Sequence, residues 1–419
     1  MDIIICLLLF GFTFLGYKIF GNILNPITIF ISWSLLLVLL GMWSNVFRSE
    51  YTWKTFVILL ISYSFFTIGS LFGKWFNAKK SIDKEVSFSR LSLCIVVLSV
   101  VVDFCIVLYI LDLSVNFGIF RIFSHLSSYN IAVQSGFFSG KIYYQVLHIA
   151  IPLSMFILYY LLRGVPKHRY LLKLEFVLCF LPFISVRRDT LFKMIILNLL
   201  LWYLISIFKP AHKKFSETLR RRAKIVIVLI VAIAFMAVTQ KLLNKSYEIS
   251  GMRIFGIQIP DFLISPISYL LGNFPYLNLK IIANDISYQG FLISTLRIPY
   301  IYLKPIFSGT LDLTTPFALS FLNIGNGVSI RFNTAPIQYY TMIEMGLFYP
   351  LYYFLLGSIS CNAYRKFIRK QGFSETLVLV ILFSILFWSV REYILIYLST
   401  WVLIITVFVV CKIVLVKKR

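Results

Sequence analysis

Residues 184–200 read ISVRRDTLFKMIILNLL, in which two arginines and an aspartate separate two apolar segments. So short a connection leaves Arg187, Arg188 and Asp189 no room to withdraw into a loop. Charged groups this close to a hydrocarbon layer are costly, and those that are kept there usually have a function. What they can do depends on the side of the membrane that they face.

The composition predicts an all-α polytopic integral membrane protein. Of 419 residues, 60% are hydrophobic and only 13% are charged, whereas a soluble domain carries about 25% charged residues. The mean hydropathy is +0.89, and a water-soluble core could not bury so much apolar surface. The net charge of +24 falls largely in short loops between apolar segments. We therefore expect the lipid bilayer, and no nucleic acid, as the partner of these charges.

The apolar segments predict about eleven transmembrane helices. A helix that crosses the roughly 30 Å hydrocarbon core needs about 20 residues. Windows of that kind lie near residues 2–20, 25–43, 53–73, 91–111, 142–162, 170–186, 190–208, 225–243, 336–360, 376–390 and 393–411. The first window has no basic residues before it and no clear cleavage site, so we expect a retained helix rather than a signal peptide.

Basic residues predict the orientation of these helices. They concentrate in every second connection, at 74–90, 163–173, 209–224 and 361–374, and in the terminal KKR. Lysine and arginine accumulate on the cytoplasmic side, so we expect the N-terminus outside and the C-terminus in the cytoplasm. The chain then divides into helices 1–8 over residues 1–243, a large extracytoplasmic loop over 244–335 and helices 9–11 over 336–419. Residues 261–282 of that loop are apolar enough for short interfacial helices.

The connections predicted to face outward carry a set of cations in which arginine recurs. They are Arg121, Arg187, Arg188, Arg253, Arg297, Arg331 and Arg391, with Lys141, Lys245, Lys280 and Lys304. A guanidinium offers a planar fork that can bind phosphate through two hydrogen bonds. Alternatively, these side chains reach lipid headgroups or pair with Asp189, Asp285 or Glu392. For the 187–189 turn we favour phosphate binding, because so short a turn needs no charge for solubility.

One acid lies inside a predicted span. Glu344 occurs about two turns into IQYYTMIEMGLFYPLYYFLLG (337–357), and an intramembrane acid is a functional candidate, usually with a partner. A salt bridge to an outer arginine would explain Glu344 equally well. Asp103 is similarly placed in SVVVDFCIV (99–107), but no neighbour in the sequence suggests chemistry there.

The sequence predicts no metal and no cofactor. Its six cysteines lie in or beside apolar segments, and none lies in 244–335. We find no histidine and cysteine spacing typical of zinc, no glycine-rich phosphate loop and no GxSxG motif.

Two stretches resemble the bacterial oligosaccharide repeat-unit polymerases that make O-antigen or capsule. One is VRRDTLFKMIILNLLLWYL (186–204), where arginine opens an apolar helix. The other is NTAPIQYYTMIEMGLFYPLYYFLLG (333–357), similar to the helix that follows the large loop in that family. Its matching residues are Thr334, Tyr339, Tyr340, Glu344, Gly346 and Gly357. Family members often have aspartate in place of Glu344, and Gly-Ser-Arg in place of Ser185, Val186 and Arg187.

The resemblance implies a membrane glycosyltransferase. It would join undecaprenyl-pyrophosphate-linked oligosaccharide units into polysaccharide at the outer face of the cytoplasmic (inner) membrane, with a chain-length regulator protein as a further partner. The energy lies in the sugar–pyrophosphate bond, so no cofactor is needed. The catalytic residues implied are Arg187, Arg188, Asp189 and Glu344, and the substrate-binding residues are Arg253, Arg297, Arg331, Tyr339 and Tyr340. Cations would stabilise the leaving pyrophosphate, and a carboxylate would take the acceptor proton.

Three other functions compete with this one. A ligase that transfers finished polymer typically depends on a histidine in the large outer loop, and 244–335 has none. A transporter or flippase for the same lipid-linked sugar would favour internal repeats and short loops, and we find no repeat. An acyltransferase would need a histidine beside an acid on the outer side, and the sequence offers no convincing pair.

Overall fold

The computed structural model describes residues 2–48, 50–75, 84–118, 141–184, 188–207, 251–299, 301, 320–328 and 330–417. This part of the chain is predominantly helical. By length and composition, five of its helical segments could cross a membrane: Asp2–Phe20, Trp53–Gly73, Phe88–Asn116, Ile142–Arg163 and Ile337–Lys370. Shorter apolar helices lie at Thr28–Met42, Thr190–Ser206, Asp261–Leu271, Phe373–Trp388 and Leu398–Val414. The chain therefore has the helices of an integral membrane protein.

The helices, in chain order, are α1 Asp2–Phe20, α2 Trp33–Met42, α3 Trp53–Trp75, α4 Phe88–Phe117, α5 Ile142–Val146, α6 Ala150–Arg163, α7 Arg169–Leu178, α8 Leu181–Ile184, α9 Arg188–Ile207, α10 Asp261–Leu271, α11 Asn273–Ile282, α12 Ile337–Met345, α13 Tyr349–Lys370, α14 Phe373–Trp388 and α15 Leu398–Val414. A π-helical turn at Thr28–Ser32 precedes α2, and 3-10 turns lie at Leu147–Ile149, Gly346–Phe348 and Ile394–Ile396. The strands pair antiparallel in twos: β1 Lys84–Val86 with β6 Leu415–Lys417, β2 Arg253–Ile254 with β3 Ile257–Gln258, and β4 Leu322–Asn323 with β5 Arg331–Phe332.

Two compact units share the chain. Unit 1 comprises residues 1–79, 247–370 and 385–397, and unit 2 comprises 80–246, 371–384 and 398–419. Each unit thus combines segments that are distant in sequence, whereas the sequence suggested a linear division at residues 243 and 335. Helices α10 and α11 occupy 261–282, where the sequence predicts short helices.

Helix α3 packs closely against α13 through glycines. A Cβ on Gly69 would lie 2.0 Å from the carbonyl oxygen of Phe354, and one on Gly357 would lie 2.1 Å from that of Phe66. The Ser358 hydroxyl donates a 2.9 Å hydrogen bond to the carbonyl oxygen of Gly69. Small residues let membrane helices approach until their backbones touch, so these glycines set the distance between the two helices.

Adding one methyl group at Gly69 should destabilise unit 1. The atom that it would meet belongs to the backbone, so Gly69→Ala should lower the free energy of unfolding by about 1–3 kcal/mol. Gly11→Ala, on α1, is the matched control, because nothing lies within 4 Å of the position of its Cβ. Thermal unfolding of both purified variants in detergent measures the difference. Equal midpoints would contradict the close packing of α3 against α13.

In unit 2, α6 packs against both α4 and α9. The Asn198 side chain on α9 donates a 2.9 Å hydrogen bond to the Ser154 hydroxyl on α6, and both groups are buried. The Tyr159 ring at the other end of α6 lies edge-on to Phe373, with 4.8 Å between ring centroids. Polar bonds of this kind fix the register of helices inside a membrane.

The structure departs from two of the predicted windows and begins a third late. Residues 170–186 form no single helix: α7 ends at Leu178 and α8 begins at Leu181, because Pro182 has no N–H to continue the helical ladder. The 336–360 window is interrupted at Gly346, although Ile337–Lys370 as a whole is long and apolar enough to cross a membrane. Helix α15 begins only at Leu398. The 225–243 window lies outside the described residues.

Candidate functional site

Helix α12 ends next to its acid because of a glycine. Gly346 has φ +53, a conformation that residues with a Cβ avoid, and the chain turns there before α13. The backbone N–H of Gln289 donates a 2.8 Å hydrogen bond to the carbonyl oxygen of Ile343. This contact seats the segment after α11 against the end of α12, with Glu344 in the last turn of that helix.

Thr295 donates hydrogen bonds to both oxygens of the Glu344 carboxylate. Glu344 is 0% exposed. The Thr295 backbone N–H donates to Oε1 at 2.6 Å, and the Thr295 hydroxyl donates to Oε2 at 2.7 Å. A buried carboxylate is tolerated where hydrogen bonds replace its hydration. The structure therefore gives Glu344 the partners that an intramembrane acid needs, and these partners, Thr295 and the adjacent Ser294, are neutral.

A chain of hydroxyl groups leads away from Glu344. The Tyr393 hydroxyl contacts the Thr295 hydroxyl, and the Tyr352 hydroxyl lies 3.0 Å from that of Tyr393. Because Thr295 donates to Glu344, Tyr393 must donate to Thr295, and Tyr352 to Tyr393.

Cations and aromatic rings flank this chain in unit 1. Arg297 follows Thr295 by two residues and lies within electrostatic reach of Tyr340. The Tyr340 ring stacks on that of Tyr393, with a centroid distance of 5.6 Å and an interplanar angle of 28°. Three residues predicted from the sequence, Glu344, Tyr340 and Arg297, are thus brought to one place. Tyr339 joins them through an edge-on contact with Tyr340 at 5.5 Å.

Arg391 and Glu392 are buried in the connection between α14 and α15. They are 9% and 4% exposed. The Arg391 guanidinium lies over the rings of Tyr269 and Trp388, with centroid distances of 5.1 and 5.4 Å. Such contacts stabilise a partly desolvated cation. Glu392 accepts a 3.0 Å hydrogen bond from the hydroxyl of Tyr397 and lies within electrostatic reach of Tyr340.

Other predicted cations have different surroundings. Arg253 is exposed on β2, and its backbone N–H donates to the Asn45 side chain at 2.7 Å. Lys141 pairs with Asp112, and Lys280 pairs with Asp285. These two lysines therefore pair with acids, which was the alternative to phosphate binding. Arg331 lies on β5, but its side chain is not described. Arg121, Lys245 and Lys304 lie wholly outside the described residues.

The 187–189 turn is described only in part. Arg187 lies outside the described residues. Helix α9 begins at Arg188, which places Asp189 in its first turn. The side chains of Arg188 and Asp189 are not among those described. Their predicted roles in catalysis therefore stay predictions.

No pattern in the sequence indicates Thr295 or Tyr352. Thr295 lies in GFLISTLRIP (290–299), where a hydroxyl in an apolar run carries no pattern. Tyr393 directly follows Arg391 and Glu392, so its position in the charged turn was the available signal.

Two acids line a groove in unit 2. Asp103 on α4 and Glu175 on α7 both face a cavity of about 850 Å³. The Ser99 hydroxyl hydrogen bonds to Glu175. Asp103, which had no visible partner in the sequence, thus shares a groove with another carboxylate.

Within the described ranges, no three or more histidine, cysteine, aspartate and glutamate side chains are grouped so that they could hold a metal ion. Comparison with known proteins found no matching family model, no matching curated protein and no matching solved structure.

Proposed function

We propose that this protein is a membrane glycosyltransferase that polymerises undecaprenyl-pyrophosphate-linked oligosaccharide units into O-antigen or capsular polysaccharide. The observation that carries the proposal is the environment of Glu344. A fully buried carboxylate ends a membrane helix, is held by two donors of Thr295, and is connected through hydroxyl groups to Tyr352. Tyr352 and Tyr393 lie within electrostatic reach of the carboxylate, and Arg297 lies within reach of Tyr340, whose ring stacks on that of Tyr393.

This arrangement suits glycosyl transfer from a lipid pyrophosphate. An acceptor hydroxyl oxygen attacks the anomeric carbon of the donor sugar, the bond from that carbon to the phosphate oxygen breaks, and the lipid pyrophosphate leaves. The acceptor proton passes to Glu344, through the hydroxyls of Tyr352, Tyr393 and Thr295, each of which can donate to the next. Cations stabilise the charge that develops on the leaving group; Arg297 and Arg391 are the described candidates, with Arg187 and Arg188 as predicted contributors.

The proposal includes a topology. About eleven helices, the large loop over 244–335 and the alternation of basic loops would place the N-terminus outside and the C-terminus inside the bacterial inner membrane. Residues 290–297 and the end of α12 would then lie toward the outer face, where lipid-linked repeat units are presented.

Deleting the gene tests this function. In the native strain, we expect the ladder of surface polysaccharide on a gel to collapse to a single repeat unit, because export continues without polymerisation. The wild-type gene should restore the ladder. A gene carrying both Arg187→Ala and Arg188→Ala should fail to restore it while the protein is present in the membrane. An unchanged ladder after deletion would exclude the polymerase.

A flippase for the same lipid-linked sugar is the second candidate. It is favoured by the groove in unit 2, which Glu175 lines together with Asp103 of the membrane-length helix α4, because carboxylates within the membrane often line transport paths. Deletion would then remove the single-unit band as well, and lipid-linked units would accumulate on the cytoplasmic side. A ligase would instead leave polymer on its lipid carrier.

A further inference from the structure

A groove in unit 1 lies beside the start of helix α3. Its volume is about 600 Å³, within the range of small-molecule sites. Its lining is mostly apolar and includes Val57, Ile58 and Ile286. Lys54 also lines it, and no carboxylate occurs among the described residues that do so.

The groove lies at the boundary between lipid and water. The membrane-spanning segment of α3 begins at Trp53, so the groove opens where α3 enters the membrane. Trp53 and Tyr288, which both line it, are 63% and 60% exposed. Tryptophan and tyrosine concentrate at the boundary between lipid and water. A ligand bound at this boundary would contact both apolar side chains and water.

The groove is separate from the Glu344 site. Met342 and Gly346 line it, and they lie four residues apart on one side of the chain at the end of α12. Glu344 falls midway between them, about 200° around the helix from Met342 at 3.6 residues per turn. An occupant of the groove therefore faces away from the carboxylate that Thr295 holds, and this inference does not rest on the proposed function.

We propose that this groove binds one anionic phospholipid, with its phosphate at the Lys54 ammonium and the adjoining acyl carbons along Val57 and Ile58. A cation among apolar side chains is complementary to an anionic amphiphile. The amide of Asn284, which also lines the groove, can donate to a phosphate or glycerol oxygen.

Native mass spectrometry of the purified full chain tests the site. Phosphatidylglycerol and phosphatidylcholine with identical acyl chains are added stepwise to the detergent-solubilised protein. We expect the first phosphatidylglycerol to bind at a lower concentration than the first phosphatidylcholine. Lys54→Gln should weaken phosphatidylglycerol binding about fivefold, as one surface cation typically contributes, and leave phosphatidylcholine binding unchanged.

Two further variants separate this site from general attraction to a basic protein. Lys18→Gln removes another exposed lysine, at the last turn of α1, and should leave both lipids unaffected. Val57→Trp fills the groove and should weaken both. Inorganic phosphate at millimolar concentration should not compete with phosphatidylglycerol, because the apolar lining of the groove also contributes to lipid binding. Equal effects of Lys54→Gln and Lys18→Gln, no preference in the wild type, or full competition by phosphate would each overturn the proposal.

Discussion

Replacing Glu344 by glutamine should abolish polymer formation. Glutamine keeps the size of the side chain but cannot accept a proton, and loss of a general base typically lowers a rate about 10²–10⁴-fold. In the deletion strain, the Glu344→Gln gene should leave only the single-unit band. Glu344→Asp keeps the charge on a shorter side chain and should restore part of the ladder.

The same substitution disturbs the fold locally. Thr295 donates to both carboxylate oxygens of Glu344, whereas glutamine offers one oxygen and one amide nitrogen that is itself a donor. We therefore expect a loss of about 1–3 kcal/mol in stability, and membrane levels must be measured by immunoblot. Glu50→Gln, which changes an exposed acid of unit 1, is the control. A full ladder from a well-expressed Glu344→Gln protein would refute the role of Glu344 as the general base.

Thr295→Val should separate the carboxylate from the hydroxyl chain. Valine has the shape of threonine and keeps the backbone N–H that donates to Oε1 of Glu344. It removes the hydroxyl that bridges Glu344 and Tyr393. A hydrogen bond to a charged group contributes about 1.5–3 kcal/mol, so we expect a lower unfolding midpoint and a loss of polymer of about tenfold or more.

Thr295→Ser restores the hydroxyl and should recover most of the polymer. Thr67→Val is the matched control, because Thr67 is buried and its hydroxyl donates to the carbonyl oxygen of Tyr63 in its own helix. Polymer is measured on the gel and stability by thermal unfolding in detergent. If Thr295→Val, like Thr67→Val, left polymer and stability unchanged, the hydrogen bond from the Thr295 hydroxyl to Glu344 would contribute to neither.

The local features of this fold could be read from the sequence because they depend on single segments. Apolar length indicates α1, α3 and α4, and Gly346 and Pro182 mark the two places where a helical window breaks. Glu344 stood out because a charge in an apolar run is rare. Tyr340 was predicted from the family resemblance, and Arg297 was predicted from its charge.

The long-range features could not be read in this way. Thr295 meets Glu344 across 49 residues of sequence, and Tyr393 meets Thr295 across 98. Neutral hydroxyl groups leave no periodicity or charge pattern that would pair them. The same holds for the division into units, since nothing local in residues 385–397 indicates that they pack with unit 1.

The glycine contact between α3 and α13 has a consequence for biosynthesis. The residues that it joins, Gly69 and Ser358, are 289 positions apart. At 5–20 residues per second, a ribosome needs roughly 15–60 s to make that stretch. Helix α3 must therefore wait in the membrane with its glycine face unpaired until α13 is inserted. Unit 1 closes only near the end of translation, and a ribosome that stalls before α13 leaves α3 as a substrate for membrane quality control.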